Sequence, residues 1–258
     1  MPRGVGLKTN VEWRHWGRED PLYGVATWSG KARGGDAPWT DEQFYKVGAQ
    51  DWADFSAHWR SYGMPRGACV EIGCGAGRIT SQLANDFDRV VAVDVSADMI
   101  EYAKRHVPSN VEFSVVDGID LPVTDASIDG AFSVLVLQHF DRVEEVEASL
   151  REVWRVLVPG GTMMIQLPIY SWPGSFVGFK VLYGLRRAAA SLRAAVRRRL
   201  LEAGRGRPFF RYLRVDLDRL QKFLQSTGFE NVELRTFKPA AHPEWLTFVM
   251  ATKPVADR

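Results

Sequence analysis

The stretch VEIGCGAGR, residues 70–78, decides the fold. It joins an apolar run at 69–72, typical of a buried strand, to a helical pattern at 78–86. The glycines between them can adopt positive φ and let the backbone approach a ligand closely, and the helix N-terminus that follows offers free N–H groups. The stretch therefore predicts a strand, a loop and a helix that bind a nucleotide-like ligand at the carboxyl end of the strand.

The rest of the chain alternates short apolar runs with amphipathic segments. The predicted strands cover residues 69–72, 90–93, 111–116, 128–135, 162–167, 230–237 and 246–252. The predicted helices cover residues 40–62, 78–86, 96–106, 142–157, 176–203 and 216–227. Strands separated by helices need crossover connections, so the pattern predicts an α/β protein with a mainly parallel, doubly wound sheet and helices on both faces.

Two aspartates end the next two predicted strands. Asp94 lies 17 residues after Gly77, where a β–α–β unit presents a carboxylate to the hydroxyls of a ribose. Asp117 ends the following strand at the equivalent edge and is suited to accept a hydrogen bond from an exocyclic adenine amine. One such aspartate is usually a helix cap or a turn residue, but two beside a glycine loop indicate a nucleoside site.

The motifs of residues 69–167 resemble those of the class I S-adenosylmethionine-dependent methyltransferases. Besides the glycine loop and Asp94, they include DGIDLP at 117–122, SIDGAF at 127–132, LQHF at 137–140 and RVLVPGG at 155–161. The resemblance implies a Rossmann-like, seven-stranded sheet with an antiparallel edge strand. It also implies S-adenosyl-L-methionine as cofactor, with S-adenosyl-L-homocysteine as product. The cofactor-binding residues it implies are Glu71, Gly73, Cys74, Gly75, Gly77, Asp94, Val95, Met99, Asp117, Gly118 and Val134.

Four regions are predicted around this core. Residues 1–66 form an N-terminal cap that holds six of the nine tryptophans and is expected to be loop up to about residue 39, with a helix from Thr40 to Tyr62. Residues 67–170 form the cofactor-binding core, and residues 171–211 a basic, helical, lid-like insertion. Residues 212–258 supply the last helix and two strands of the sheet.

His139 is the candidate general base, because it follows the fourth predicted strand close to the expected point of transfer. A base is useful when the acceptor is a hydroxyl that must lose its proton. The alternative is that His139 only orients its loop. Trp28, Trp39, Tyr45 and His242 are the candidate substrate-binding residues, whereas Trp52, Phe55 and Trp59 are expected to pack a helix on the sheet. No cluster of His, Cys or Asp has metal-ligand spacing, so no metal is expected.

The insertion carries a local excess of positive charge. Residues 178–211 hold ten Lys or Arg against Glu202, a charge of +9, so the rest of the chain carries −7 of the overall +2. The predicted helix places apolar residues on one face, at Leu182, Leu185, Ala189, Leu192, Val196 and Leu200, and arginines on the other, at Arg186, Arg187, Arg193, Arg197 and Arg198. A lid or an oligomer contact, a contact with a membrane or an anionic substrate, and a solvated helix all fit this pattern. No RNA-binding module is recognisable, so nucleic acid is not favoured as a partner.

Composition limits the class of protein. A chain of 258 residues with 46% hydrophobic and 25% charged residues is globular. Cys69 and Cys74 are too close in sequence, in a strand and its loop, for a mutual disulfide. No apolar run is long enough to span a bilayer. A cytoplasmic location is therefore expected, with peripheral membrane contact as an option.

The expected function is methyl transfer to a small-molecule acceptor, a hydroxyl of a glycan, a lipid-linked compound or a specialised metabolite. Transfer to nitrogen, to carbon or to RNA is one alternative, and a non-catalytic protein of the same fold that docks on membranes is another. A nicotinamide dehydrogenase is a third, although the spacing of Gly73, Gly75 and Gly77 differs from the Gly-x-Gly-x-x-Gly fingerprint of that class.

Overall fold

The computed structural model describes residue 7 and residues 9–171, 177–203 and 212–255. Its strands are β1 (Ala68–Ile72), β2 (Arg89–Asp94), β3 (Val111–Val115), β4 (Ile128–Ser133), β5 (Leu157–Gln166), β6 (Ile169–Tyr170), β7 (Val215–Asp216), β8 (Glu230–Phe237) and β9 (Leu246–Thr252). Its helices are α1 (Asn10–Glu19), α2 (Pro21–Val25), α3 (Asp41–Tyr62), α4 (Thr80–Asp86), α5 (Ala97–Ala103), α6 (Val143–Val156), α7 (Val177–Glu202) and α8 (Leu217–Thr227), with a short 3₁₀ turn at Leu137–His139.

Seven strands form one sheet in the order β3-β2-β1-β4-β5-β9-β8. The first five are parallel, and β9 runs antiparallel to both β5 and β8. The predicted mainly parallel sheet with an antiparallel edge is therefore confirmed. The fifth strand begins at Leu157 and not at 162, because Leu157 pairs with Ile128 of β4 and the Gly160 N–H donates to the Lys253 carbonyl (2.7 Å).

Two apolar layers cover the sheet. Side chains of α6 and α8, including Leu150 and Phe223, pack on one face. Side chains of α3 and α4, including Phe55, Trp59 and Leu83, pack on the other. Trp52, Phe55 and Trp59 are buried, as a packing role requires. Because the five parallel strands share one direction, the loops that follow them meet at one edge of the sheet, and this edge carries the site described below.

The N-terminal segment differs from the expected loop, because it contains α1 and α2. Hydrophobic periodicity does not reveal α1, since its buried residues are Asn10, Glu12 and Gly17. At Gly17 the helix lies so close to the start of α5 that a Cβ would stand 2.2 Å from the hydroxyl oxygen of Ser96. The helix is therefore held by polar contacts and close backbone approach together with the partly buried Trp16, and it has no fully buried apolar residue.

In the second half of α7 the predicted apolar face is exposed, and Arg198 of the predicted basic face is buried. Of the predicted apolar stripe, Leu192 is 70%, Val196 54% and Leu200 44% exposed. The buried residues lie on the opposite face and include Ala194 and Arg198. Leu182, Leu185, Arg186 and Arg187 lie outside the side chains that the structure describes. None of the described helices is long and apolar enough to cross a membrane.

A buried ion cluster explains this orientation. The Arg198 guanidinium donates to the Glu12 carboxylate of α1 through Nε (2.6 Å) and to the Asp141 carboxylate through Nη1 and Nη2 (2.5 and 3.0 Å). All three side chains are at most 14% exposed. Since two carboxylates inside the protein need a partner charge, Arg198 turns inward and the apolar stripe faces out.

We expect Arg198→Met to lower the free energy of unfolding by about 3–5 kcal/mol, because it leaves two buried carboxylates without their guanidinium. The neighbouring Arg199 is exposed, so Arg199→Met should change stability by less than about 0.5 kcal/mol. Urea denaturation of the two variants checks this difference. Equal, small losses would show that the ion cluster does not hold α7 in place.

Candidate active site

A cavity of about 470 Å³ opens at the carboxyl edge of the parallel strands. Its floor is the glycine loop after β1 together with the ends of β2 and β4. Its walls come from α1, from residues 24–29 and from residues 242–244. The volume is in the range of small-molecule sites. The nucleotide-like site that the sequence predicts at this edge thus has a cavity to occupy.

Three glycines of the loop adopt positive φ angles. Gly73 has φ +76° and Gly75 has φ +52°. A Cβ at Gly73 would stand 2.3 Å from Val136, and one at Gly75 would stand 2.6 Å from Val25. Both glycines line the cavity. Gly77 also has a positive φ, +83°, but it packs on Ala103 and does not line the cavity. It belongs to the turn that leads from the loop into α4.

Asp94 ties the glycine loop to the end of β2. Its carboxylate accepts hydrogen bonds from the backbone N–H of Gly75 (2.8 Å) and of Ser96 (2.9 Å), and it lines the cavity. Burial raises the pKa of Asp94, and the backbone N–H donors oppose that shift. Four other residues that the sequence predicts for cofactor binding line the same cavity, namely Cys74, Val95, Met99 and Val134.

Glu71 is a buried carboxylate at the cavity floor. It is 3% exposed, and its Oε2 has no hydrogen-bond partner among the described residues. Burial and, to a lesser extent, the Asp94 charge raise its pKa to about 7, and the charge of Arg78 opposes the shift. A carboxyl group in this state is suited to pair with a cationic ligand group, because such a group would stabilise its charged form.

Asp117 contacts the N-terminal helix and does not line the cavity. Its Oδ1 accepts a hydrogen bond from the Asn10 amide (3.0 Å) and forms an ion pair with Arg14. These two donors hold the pKa of the Asp117 carboxyl below its usual range. The neighbouring Val116 and Gly118 do line the cavity. The carboxylate that the sequence assigns to adenine is thus engaged in holding α1 across the sheet edge.

His139 lies in the cavity wall and is 7% exposed. Its ring centroid is 4.8 Å from that of Trp13 on α1 and 5.5 Å from that of Tyr212. It is therefore held between the N-terminal helix and the segment that follows α7.

A relay of two side-chain amides fixes one nitrogen of His139. The Leu135 N–H donates to Gln166 Oε1 (3.1 Å), which turns the Gln166 amide nitrogen toward Gln138 Oε1 (3.5 Å). The Gln138 amide nitrogen then faces His139 Nε2 at 3.3 Å. An amide nitrogen can only donate, so in this contact Nε2 is the acceptor. Leu135 itself has φ +60°, a strained conformation at the cavity wall.

The four candidate substrate-binding residues separate into two pairs. Trp28 and His242 line the cavity, with ring centroids 6.2 Å apart. Trp39 lies behind Trp28 and donates to the Ala26 carbonyl (2.8 Å), and Tyr45 donates to the Ala76 carbonyl (2.6 Å). Trp39 and Tyr45 therefore support the cavity from outside its lining, because each uses its polar atom on the backbone behind the wall.

His242 is set up as a neutral hydrogen-bonding group. Burial lowers its pKa, mainly by desolvation, although the Asp51 charge opposes the shift. Nδ1 lies 3.2 Å from the Glu244 backbone nitrogen and 3.3 Å from its carbonyl oxygen. The backbone occupies Nδ1 in either tautomer, which leaves Nε2 for the cavity.

Several cavity residues were not predicted from the sequence. They are Thr9, Asn10 and Trp13 of the N-terminal segment, Arg78, Gln138 and Tyr212. Arg78 directly follows the glycine loop and Gln138 precedes His139, so their positions in the motifs could have identified them. No comparable signal marks α1. Among the described residues, no group of three or more His, Cys, Asp or Glu could hold a metal ion.

We expect Gln138→Glu to move the titration of the His139 ring to higher pH by about one unit or more, because a carboxylate would accept from a protonated Nε2 and stabilise the charged ring. The shift is measured from the pH dependence of the ring resonances in nuclear magnetic resonance spectra. The other four histidines serve as internal controls. An unmoved His139 would show that residue 138 does not face Nε2.

Residues 70–165 match the family model for the methyltransferase domain. A malonyl-[acyl-carrier protein] O-methyltransferase from Hahella chejuensis is 40% identical over 98 residues, which are 37% of this chain and 34% of that protein. The chain spans between about a fifth and less than half of the length of the curated relatives it matches, 22–44%.

Two solved structures match nearly the whole chain. A DhpI complex with S-adenosylhomocysteine has a TM-score of 0.58 at 21% identity and covers 98% of this chain and 100% of its own. The [4+2]-cyclase SpnF has a TM-score of 0.59 at 17% identity and covers 98% of both chains. At these identities the likeness shows the fold alone.

Proposed function

We propose that this chain, which carries a class I methyltransferase domain over residues 70–165, transfers a methyl group from S-adenosylmethionine to a hydroxyl of a small molecule. The acceptor class is a glycan, a lipid-linked compound or a specialised metabolite. The observation that carries the proposal is the cavity itself, where the Asp94 carboxylate, the positive-φ glycines and the unpartnered Glu71 oxygen meet.

The described residues fit the cofactor. Gly73 and Gly75 line the cavity without side chains, and a Cβ at either would collide with Val136 or Val25, so the loop backbone itself faces a ligand. Asp94 would accept from the ribose hydroxyls, and Glu71 would pair with the ammonium of the methionyl portion. Val134 and Met99 supply apolar wall. The relatives named above, an O-methyltransferase and a complex with S-adenosylhomocysteine, support the same assignment.

S-adenosylmethionine supplies, when bound, an activated methyl group whose transfer leaves a neutral thioether that needs no proton. The chain's own task is therefore to align the acceptor and to exclude water. Val136 and Phe140 add apolar wall next to the glycine loop, where they keep solvent away. Alignment of two bound reactants can supply on the order of 7–11 kcal/mol of the barrier.

His139 is the proposed proton acceptor for the hydroxyl. Its Nε2 accepts from the Gln138 amide, and an acceptor hydroxyl would replace that amide as the donor. His242 would orient the same hydroxyl or a neighbouring one through Nε2, and Trp28 would pack on the acceptor. If His139 is the base, the alkaline shift of its ring in Gln138→Glu reappears in the pH–rate profile, whereas a structural His139 leaves that profile in place.

We expect Asp94→Ala to weaken binding of S-adenosylhomocysteine about a hundredfold, because two hydrogen bonds to a charged group are lost, and to abolish transfer of labelled methyl into an acceptor library. Isothermal titration calorimetry measures the binding. Asp98→Asn is the matched control, since Asp98 pairs with Arg18 outside the cavity and its loss should leave the affinity unchanged. Undiminished affinity in Asp94→Ala would contradict the assignment. Intact binding without methyl transfer to any acceptor would favour a non-catalytic or cyclase-like role.

We expect the affinity for S-adenosylhomocysteine to rise about tenfold between about pH 6 and about pH 8, because Glu71, whose pKa burial raises to about 7, gains its charge in this interval. The affinity rises with pH because the Glu71 carboxyl is neutral below its raised pKa and can pair with an ammonium only above it. Glu71→Gln should give an affinity that does not change over the interval, while Asp98→Asn keeps the dependence. A slope that persists in Glu71→Gln would assign it to another group.

A further inference from the structure

The second half of α7 has an outward face that no described part of the chain covers. Leu192, Val196 and Leu200 lie on it, and two of the three are more than half exposed. They extend over one side of the helix for about 12 Å, at 1.5 Å per residue. Large aliphatic side chains in a contiguous exposed row indicate an interaction surface.

Arginines flank this apolar row. Arg193 and Arg199 are exposed and form no ion pair among the described residues. On a helical projection they fall to either side of Leu192 and Val196. The sole acidic residue of α7 is Glu202, at its end. The surface thus combines apolar side chains at its centre with unpaired positive charge at its margins.

The inner face of the same helix is fixed. Arg198 holds it to Glu12 of α1 and to Asp141. Turning the helix to bury its apolar row would expose Ala194 and would move Arg198 away from two buried carboxylates. Self-burial against the described part of the chain is therefore opposed by the ion cluster, which leaves the apolar row open to an external partner.

We propose that the outward face of α7, residues 192–200, docks on an anionic phospholipid surface. A lipid headgroup layer offers negative charge to the marginal arginines and apolar volume to the central aliphatic side chains at the same depth, which is the pattern of an interfacial helix. The overall charge of +2 is too small to produce adsorption by itself, so the interaction is local to this face.

Two other partners fit the surface less well. In a symmetric dimer through this face, each arginine margin would approach the like-charged margin of the second copy, because a two-fold axis pairs a patch with itself. In a nucleic-acid complex, Leu192 and Val196 would face phosphates at the centre of the contact, and phosphate contacts come from Lys, Arg and polar groups. An anionic lipid surface offers apolar volume to the central aliphatic side chains and negative charge to the marginal arginines.

The test is cosedimentation of the full chain with phosphatidylcholine vesicles that contain phosphatidylglycerol, compared with pure phosphatidylcholine vesicles. We expect binding to the anionic vesicles alone, weakened by salt. Arg193→Ser with Arg199→Ser should lower the partition coefficient about 25-fold, the product of about fivefold for each arginine at the surface. Leu192→Ser with Val196→Ser should lower it more than about tenfold.

Control variants use exposed residues elsewhere in the chain. Lys104→Ser with Lys222→Ser removes two exposed positive charges, and Val232→Ser with Leu234→Ser removes two aliphatic side chains that are 39% and 40% exposed on β8. Both should bind vesicles like the unchanged chain. Unchanged thermal unfolding midpoints show that each variant is folded.

Three results would overturn the proposal. The first is a chain that stays in the supernatant with anionic vesicles, or binds them equally in all variants. The second is a dimer in sedimentation equilibrium that Leu192→Ser with Val196→Ser dissociates. The third is binding to a structured RNA, lost in Arg193→Ser with Arg199→Ser, without binding to vesicles. These readouts need no methyl transfer, so they do not depend on the proposed function.

Discussion

Hydrogen bonds between the glycine loop and the end of β2 hold the site together. The backbone N–H groups of Gly73 and Cys74 both donate to the Val93 carbonyl (2.8 and 3.0 Å), and the Gly75 N–H donates to the Asp94 carboxylate. The loop can turn back to reach these acceptors because Gly73 and Gly75 adopt positive φ. One set of contacts therefore both closes the turn and fixes the carboxylate that faces the cavity. Because the same contacts do both, the sequence at 70–78 is enough to predict the turn and the position of the site.

The parts of the structure that sequence patterns predict are those held by apolar burial. The strands of the central sheet and helices such as α3 and α6 follow the periodicity of their buried side chains, so their positions are right to within a few residues. Glu71, Asp94 and the loop glycines are also located by the sequence, because strand order and strand direction dictate where their side chains emerge. Trp28 and His242 reach the same cavity, but nothing in the sequence distinguishes them from Trp39 and Tyr45, which support it from behind.

The parts that the sequence does not predict are held by charge and by close backbone approach. α1 buries Asn10, Glu12 and Gly17, and α7 buries Arg198. A hydrophobicity pattern scores these residues as exposed, since charged side chains are almost never buried unless they are paired. The pairing residues, Glu12 and Asp141, are 186 and 57 positions from Arg198 in the chain. No local pattern can reveal such a contact, so the helix face that looks like the buried one is the one exposed to solvent.

The ion cluster around Arg198 determines the orientation of α7 more than it stabilises the folded protein. Buried ion pairs gain little over apolar packing once desolvation is counted, but removing one partner is costly, so they select one arrangement among several of similar energy. Here the selected arrangement connects three elements: α7, the N-terminal helix through Glu12, and the segment after His139 through Asp141. Trp13 of that helix contacts the His139 ring. A displacement of α7 would therefore act through Glu12 on the N-terminal helix, which packs on one side of the His139 ring.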